Sequence, residues 1–366
     1  MRVTVCVDAL SPQLSGIGRY TWELCKGLAS RAELSSLQFY VGGSLIDDPS
    51  RLLSDEHYRP NRRRPSRWLY RRQARRALRR TLVHGPNYFL PLEAHLGIVT
   101  IHDLSVFRHP EMHPVGRLES FEQQFASSVT RAAHVITDTE TIRRELIGSF
   151  SVPAGKVTAV PLGVDPSFHP MDEREVTDTL AHWGLMPGSY GLSVAAFEPR
   201  KKLAELIGAW RRLPDKLRQN CPLVLAGGAG WRNEDLNKEI VSAQSEGWLK
   251  HLGFVPEAQL PKLYAGARLF IYPSIYEGFG LPPVEAMASG VPVIVSGRSC
   301  LPEVCGDAAK LTDPDDLEGF ATAIEASLSS SKWRSEAITR GLDRARSFTW
   351  DRCIRDTIAI YREVWG

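Results

Sequence analysis

Ten short runs of apolar, often β-branched residues punctuate this chain, with segments of helical period between them. Six lie at 2–8, 37–42, 81–85, 97–103, 133–138 and 156–162, and four at 190–196, 222–228, 267–274 and 291–297. A run that is apolar throughout cannot turn either of its alternating faces to water. With helices between the runs, the pattern predicts parallel strands covered on both sides. Two such series in succession predict two doubly wound α/β domains. The join is expected at "GVDPSFHPMDE", residues 163–173, where proline and polar residues replace strand signals. At 366 residues the chain is long enough for two cores.

Composition narrows the class. No apolar run reaches the length needed to span a bilayer. The start, "MRVTVCVDAL", passes straight into a strand pattern without a secretory segment. The six cysteines form no C-x-x-C pair and are read as reduced and buried in a cytoplasmic protein. The net charge of +3 conceals an asymmetry: residues 59–80 hold eleven arginines and no acid. Without those arginines, 34 basic residues face 42 acidic ones, so an acidic body of about −8 carries one basic patch.

Ligands of doubly wound sheets sit beyond the carboxyl ends of the strands, so residues just after each run are the candidates. After the first run comes "SGIGRY". Gly16 and Gly18 are expected just before an amphipathic helix with Tyr20, Leu24 and Leu28 on one stripe. Such glycines let backbone N–H groups approach an anion, although a plain glycine turn fits equally well. After the fourth run, His102 and Asp103 form a strand-end pair able to bind a sugar hydroxyl or move a proton. The alternative is a locally packed histidine with Asp103 as a helix cap. The spacing of His109 and His113 fits no metal-ligand signature. In "FEPRKKLAEL", Arg200 and Lys201 stand at the start of a helix, where two cations repel one another unless an anion such as a diphosphate joins them.

The densest signal is "YEGFGLPPVEAMASG", residues 276–290. Gly278 and Gly280 free the backbone so that N–H groups of Phe279, Gly280 and Leu281 can face a ligand. Pro282 and Pro283 then start a helix that Gly290 ends. Glu285 is expected in the first helical turn, eight residues after Glu277. Two carboxylates thus flank an anion-binding loop, and each can accept two sugar hydroxyls.

From Tyr276 onward the segment resembles the donor site of glycosyltransferase family 4, the retaining GT-B enzymes. The resemblance extends over essentially the whole chain, through "GIGRY", "IHDL", "VPLGVD", "EPRKK", "GFVPEAQLPKLYAGARLFIYPS" and "LPEVCGDAA". It implies two facing Rossmann-like domains, residues 1–166 on the acceptor side and 167–347 binding the nucleotide sugar, with a helix over 348–366 returning to the first. It implies that Glu277 contacts the donor hexose, Glu285 the ribose, and His102 the sugar, while Arg200 and Lys201 neutralise the diphosphate. Gly16 to Gly18 would line the cleft, and groups around Gly253–Glu257, Val255 among them, would read the base. No metal is expected if Arg200, Lys201 and the backbone loop carry the leaving-group charge. Two departures stand out: Lys202 replaces the usual asparagine, and Ala195 stands where many members have arginine. The general likeness is to bacterial mannosyltransferases, with GDP-mannose the preferred donor. A GT-B nucleotide-sugar epimerase and a non-catalytic membrane adaptor are the alternatives.

The arginine segment reads as a helix with Tyr70, Ala74, Ala77, Leu78, Thr81 and Leu82 on one stripe. Its stripe is expected to pack on its own domain. Arg71, Arg72, Arg75, Arg76 and Arg79 would then meet an anionic membrane or an acidic acceptor head group. This points to a lipid-linked or polysaccharide acceptor and to a peripheral place at the inner face of the cell membrane. No aromatic stacking platform accompanies the arginines, so nucleic acid is not the expected partner.

Overall fold

The computed structural model describes residues 1–54, 67–113, 118–228 and 234–366, and for 67–71 the backbone alone. The arginine run before Arg67 and the Arg71 side chain therefore lie outside the described residues. The chain forms two compact units: Met1–Val106 with Val115–Gly163 and Trp350–Gly366, and Phe107–Pro114 with Val164–Thr349.

The first unit holds a sheet of β1 (Arg2–Cys6), β2 (Ser36–Val41), β3 (Ser44–Ile46), β4 (Leu82–Gly85), β5 (Leu96–Ile101), β6 (His134–Thr137) and β7 (Val157–Ala159). Its order is β3-β2-β1-β4-β5-β6-β7. Every pairing is parallel except the β2–β3 hairpin. The second unit holds β8 (Gly191–Val194), β9 (Leu223–Ala226), β10 (Leu249–Gly253), β11 (Leu269–Tyr272), β12 (Val293–Ser296) and β13 (Ala309–Thr312). Its order is β10-β9-β8-β11-β12-β13, parallel throughout. Each sheet reverses its winding at its centre, between β1 and β4 and between β8 and β11. Loops leaving the carboxyl ends at such a point diverge to opposite faces and leave a crevice.

All ten runs are strands, and β4, β6, β9, β11 and β12 are buried at every position. The second unit's core gathers Trp210, Leu206 and Ile207 from the helix Leu203–Arg211, Leu223 and Leu225 from β9, Ile271 from β11 and Phe320. The three strands absent from the sequence reading, β3, β10 and β13, are all at sheet edges.

The helix Trp350–Trp365 belongs to the first unit. It lies against the helix Gly16–Ala29, where a Cβ on Gly27 would sit 2.5 Å from Ile354 Cγ1. Deeper in, Tyr361 Oη is 2.6 Å from His84 Nδ1, and His84 Nε2 is 2.8 Å from Thr100 Oγ1. Thr100 Oγ1 is in turn 2.9 Å from Tyr20 Oη. Burial pushes the His84 pKa down to about 3, so the ring is neutral and the chain of hydroxyls holds it without a counter-charge. Gly27→Ala should destabilise the first unit by about 2 kcal/mol through overpacking. Combined with Ile354→Ala in denaturant unfolding, its loss should fall well short of additive, because both changes act on one contact.

Candidate active site

Because β11 lies beside β8, the loops leaving their carboxyl ends are neighbours. The loop after β8 carries Arg200 and Lys201 in the 3₁₀ turn Pro199–Lys201; the loop after β11 carries Tyr276 and Glu277. Lys201 Nζ donates to Glu277 Oε1 at 2.5 Å and to Tyr272 Oη at 2.9 Å, and the Tyr272 hydroxyl donates to Glu277 Oε1 at 3.0 Å. Arg200 Nε donates to Glu198 Oε2 at 2.8 Å, and its Nη1 donates to the Tyr276 carbonyl at 2.8 Å and to Glu277 Oε2 at 3.3 Å.

The two cations stand in the turn that leads into the helix Leu203–Arg211, where the protein's own Glu277 and Glu198 pair with them. Glu277 is 7% exposed. Burial alone would raise its pKa, but Lys201 and then Arg200 outweigh that and bring it down to about 2. Burial, and after it Arg200, holds the Lys201 pKa below its ordinary value, against the pull of Glu277.

The loop after Glu277 is tied by its carbonyls. Arg200 takes that of Tyr276, the Ser299 hydroxyl that of Glu277 at 2.8 Å, and Cys300 Sγ that of Phe279 at 3.4 Å. The N–H groups of Phe279, Gly280 and Leu281 have no protein acceptor among the described residues. Gly280, at φ +92°, turns the chain into the helix Leu281–Ala288. That φ is one glycine adopts freely. Glu285 is the fifth residue of this helix, so the expectation of a first-turn carboxylate fails. Leu281, Pro282, Pro283 and Val284 fill that turn, and no acid neutralises the helix N-terminus. Glu285 is half-buried, and after burial itself its charge raises the pKa of Tyr264. Val255 is buried just past β10, after Gly253 at φ +65°. The segment Phe107–Pro114 belongs to the same unit, and its His109 ring packs edge-on to Tyr276 at 5.2 Å.

The remaining candidates are in the first unit. Gly16 and Gly18 do not precede the helix but form its first turn, capped by Ser15, whose Oγ accepts from Gly18 N–H at 3.1 Å. His102 pairs with Asp138, not Asp103. The β5–β6 register sets Ile101 opposite Thr137, so the next residues along each strand meet. His102 Nδ1 is 2.8 Å from Asp138 Oδ2 and Nε2 is 2.8 Å from the Pro86 carbonyl. Burial would lower its pKa, but Asp138 outweighs it and holds the imidazole above 6.5. Both ring nitrogens are thus engaged by buried protein partners, a carboxylate on one side and a backbone carbonyl on the other. Asp103 caps a turn instead, accepting from Ser105 N–H at 2.9 Å and from Tyr88 Oη at 3.1 Å. Tyr272 and Ser299 escaped the sequence reading. One looks like any core aromatic at a strand end, and the other is a single serine in a loop.

Glu277→Gln would strand two cations in a buried site, and the second unit should lose about 3 kcal/mol. Glu277's folded pKa lies below its unfolded value near 4.5. Its stabilisation is therefore complete above that value and fades as pH falls toward 2. Acid titration of unfolding should show this dependence in the native chain and lose it in the variant.

Comparison with known proteins gives the family. Residues 14–168 match the family described as Glycosyltransferase Family 4, and residues 188–344 match Glycosyl transferases group 1. The chain is 36% identical to the O-antigen chain mannosyltransferase B of Escherichia coli, over 99% of this chain and 100% of that one. It is 29% identical to the O-antigen chain mannosyltransferase RfbU of Salmonella typhimurium, over 71% and 68% of the two chains. Among solved structures it shares the fold of sucrose-phosphate synthase from Thermosynechococcus elongatus, at TM-score 0.77 and 19% identity over 100% and 99% of the two chains. It also shares that of Anabaena Alr3699/HepE in complex with UDP and glucose, at TM-score 0.75 and 17% identity over 99% of each. The fold is thus GT-B, two Rossmann-like domains, and the chain belongs to glycosyltransferase family 4.

Proposed function

We propose that this glycosyltransferase moves mannose from GDP-mannose, with retention at C1, to a lipid-linked or polysaccharide acceptor in cell-surface glycan assembly. The observation that carries the reading is the loop after β11. Its carbonyls are tied down, its N–H groups at Phe279–Leu281 are unengaged, and Arg200 and Lys201 lie beside it. That is a preformed cradle for a diphosphate. The choice of mannose and of an O-antigen-type acceptor follows the names of the Escherichia coli and Salmonella relatives.

As the C1–O bond breaks, positive charge grows on the sugar ring and negative charge on the diphosphate. Arg200, Lys201 and the loop N–H groups meet the second charge without reorganising. Glu277 Oε1 already accepts two hydrogen bonds, and Oε2 carries the longer contact to Arg200. Oε2 is the oxygen we assign to a hexose hydroxyl. Glu285 takes the ribose and Val255 borders the base. The leaving phosphate takes the proton of the acceptor hydroxyl that attacks from the same face, so no separate base is required. No divalent metal enters this scheme.

With purified protein, GDP-mannose and a mannosylated lipid acceptor, Lys201→Ala should reduce kcat/KM at least 100-fold. Chelator should leave the rate unchanged. A UDP-sugar preference, a metal requirement, or sugar rearrangement without acceptor would each overturn part of the scheme.

We also place the enzyme peripherally at an anionic membrane. Ala74 and Leu78 are buried, while Arg72, Arg75, Arg76, Arg79 and Arg80 are exposed. Arg75 Nε donates to Glu93 at 3.0 Å, and Leu92, the residue before Glu93, is an apolar side chain 79% exposed. Among the described residues no helix is long and apolar enough to cross a membrane. Each basic group near such a surface contributes about 1 kcal/mol, screened by salt. Vesicles with 30% anionic lipid should float the protein at low salt and release it at ~0.5 M NaCl, a strength at which surface charges are strongly screened. Arg76→Glu with Arg79→Glu should abolish flotation, and Leu92→Asp should weaken it. Salt-independent binding, or none, would refute the placement.

A further inference from the structure

Four non-glycine residues have a positive φ among the described residues, and one of them touches the loop that carries the proposed donor carboxylate. Ser299, at φ +56°, lies between β12 and the short helix Leu301–Cys305. Glycine adopts that backbone freely, whereas a serine there is strained. Strain kept at such a position points to something the side chain does.

The Ser299 hydroxyl holds both polar groups of one residue. It accepts from the Glu277 N–H at 3.2 Å and donates to the Glu277 carbonyl at 2.8 Å. The direction of a residue's N–H is governed by φ and that of its carbonyl by ψ. Gripping both leaves neither dihedral of Glu277 free and fixes the direction of its Cα–Cβ bond. On the other side of the loop, the Glu277 carboxylate meets Lys201, Tyr272 and Arg200. Glu277 is therefore held twice, by its backbone from the β12 side and by its carboxylate from the β8 side. The second hold uses groups that a nucleotide sugar would engage; the first does not.

We propose that Ser299 is a positioning residue for sugar transfer: its hydroxyl clamps the backbone of Glu277, so the carboxylate keeps its aim when Arg200 and Lys201 turn to the diphosphate. The inference rests on the reading of Glu277 as the donor-sugar contact.

Two variants separate this role from a merely structural one. Ser299→Gly relieves the backbone and removes the clamp; Ser299→Ala removes the clamp and keeps the strain. Ser299→Gly should melt at or above the temperature of the native chain, yet its kcat with GDP-mannose should fall roughly tenfold, with the KM for the acceptor unchanged. Ser299→Ala should show the same fall in kcat. A kcat within twofold of native in both variants, or a fall that tracks the melting temperature across the two, overturns the proposal. Amide hydrogen exchange at Glu277 gives a readout that needs no substrate: it should speed up at least tenfold in both variants. If the native enzyme uses no GDP-mannose, the donor reading fails, and unchanged exchange in the variants would then sink the clamp as well.

Discussion

A carboxylate buried between two cations organises the second unit. Glu277, Lys201 and Arg200 come from the ends of two strands that are distant in sequence and adjacent in the sheet. Taking such charges out of water is expensive, and the expense is tolerable only if each finds its partner at close range with its remaining hydrogen bonds satisfied. That condition dictates the details nearby. Tyr272 must present its hydroxyl to both Lys201 and Glu277, Glu198 must neutralise Arg200, and the Tyr276 carbonyl must turn inward to the guanidinium. With the Tyr276 carbonyl turned to Arg200, that of Glu277 to Ser299 and that of Phe279 to Cys300, the N–H groups of Phe279, Gly280 and Leu281 are left without a protein acceptor among the described residues, and the proposed diphosphate site rests on that.

Much of this was legible in the sequence. Strands buried on both faces have to be apolar, and all ten apolar runs gave strands, eight of them buried at most or all positions, with β2 and the edge strand β7 partly exposed. The missed strands had no such requirement. "AKLT" of β13 and "LKHLG" of β10 each have neighbours on one side only, and most of their residues are partly exposed, so polar side chains are tolerated. The site was legible as residue types but not as partners. Arg200, Lys201 and Glu277 could be named from spacing and likeness, yet their mutual neutralisation depends on β8 lying beside β11. His102 was paired with its neighbour in sequence, whereas the register across β5 and β6 gives it Asp138. Contacts decided by sheet order are invisible to a reading that runs along the chain.

Lys202 shows how a departure from a family pattern is absorbed. Its backbone is left-handed, at φ +51°, a conformation asparagine tolerates better than lysine. Asparagine is the residue that the family-4 pattern usually has here. In exchange, the lysine reaches Glu205 at 2.7 Å and Asp315 at 2.9 Å, joining its own helix to the loop after β13. The position remains a stiff corner, and what stiffens it has changed from backbone preference to charge.

The helix that completes the first unit carries a consequence for synthesis. Domains generally fold as the ribosome releases them, the N-terminal one first. Here Tyr20, His84 and Thr100 wait for Tyr361, and Gly27 waits for Ile354. Nearly all of the second unit emerges before those partners do. The nascent chain must therefore carry a complete sheet with part of its cover missing while a later sheet closes, so the domain translated first is the last to be sealed.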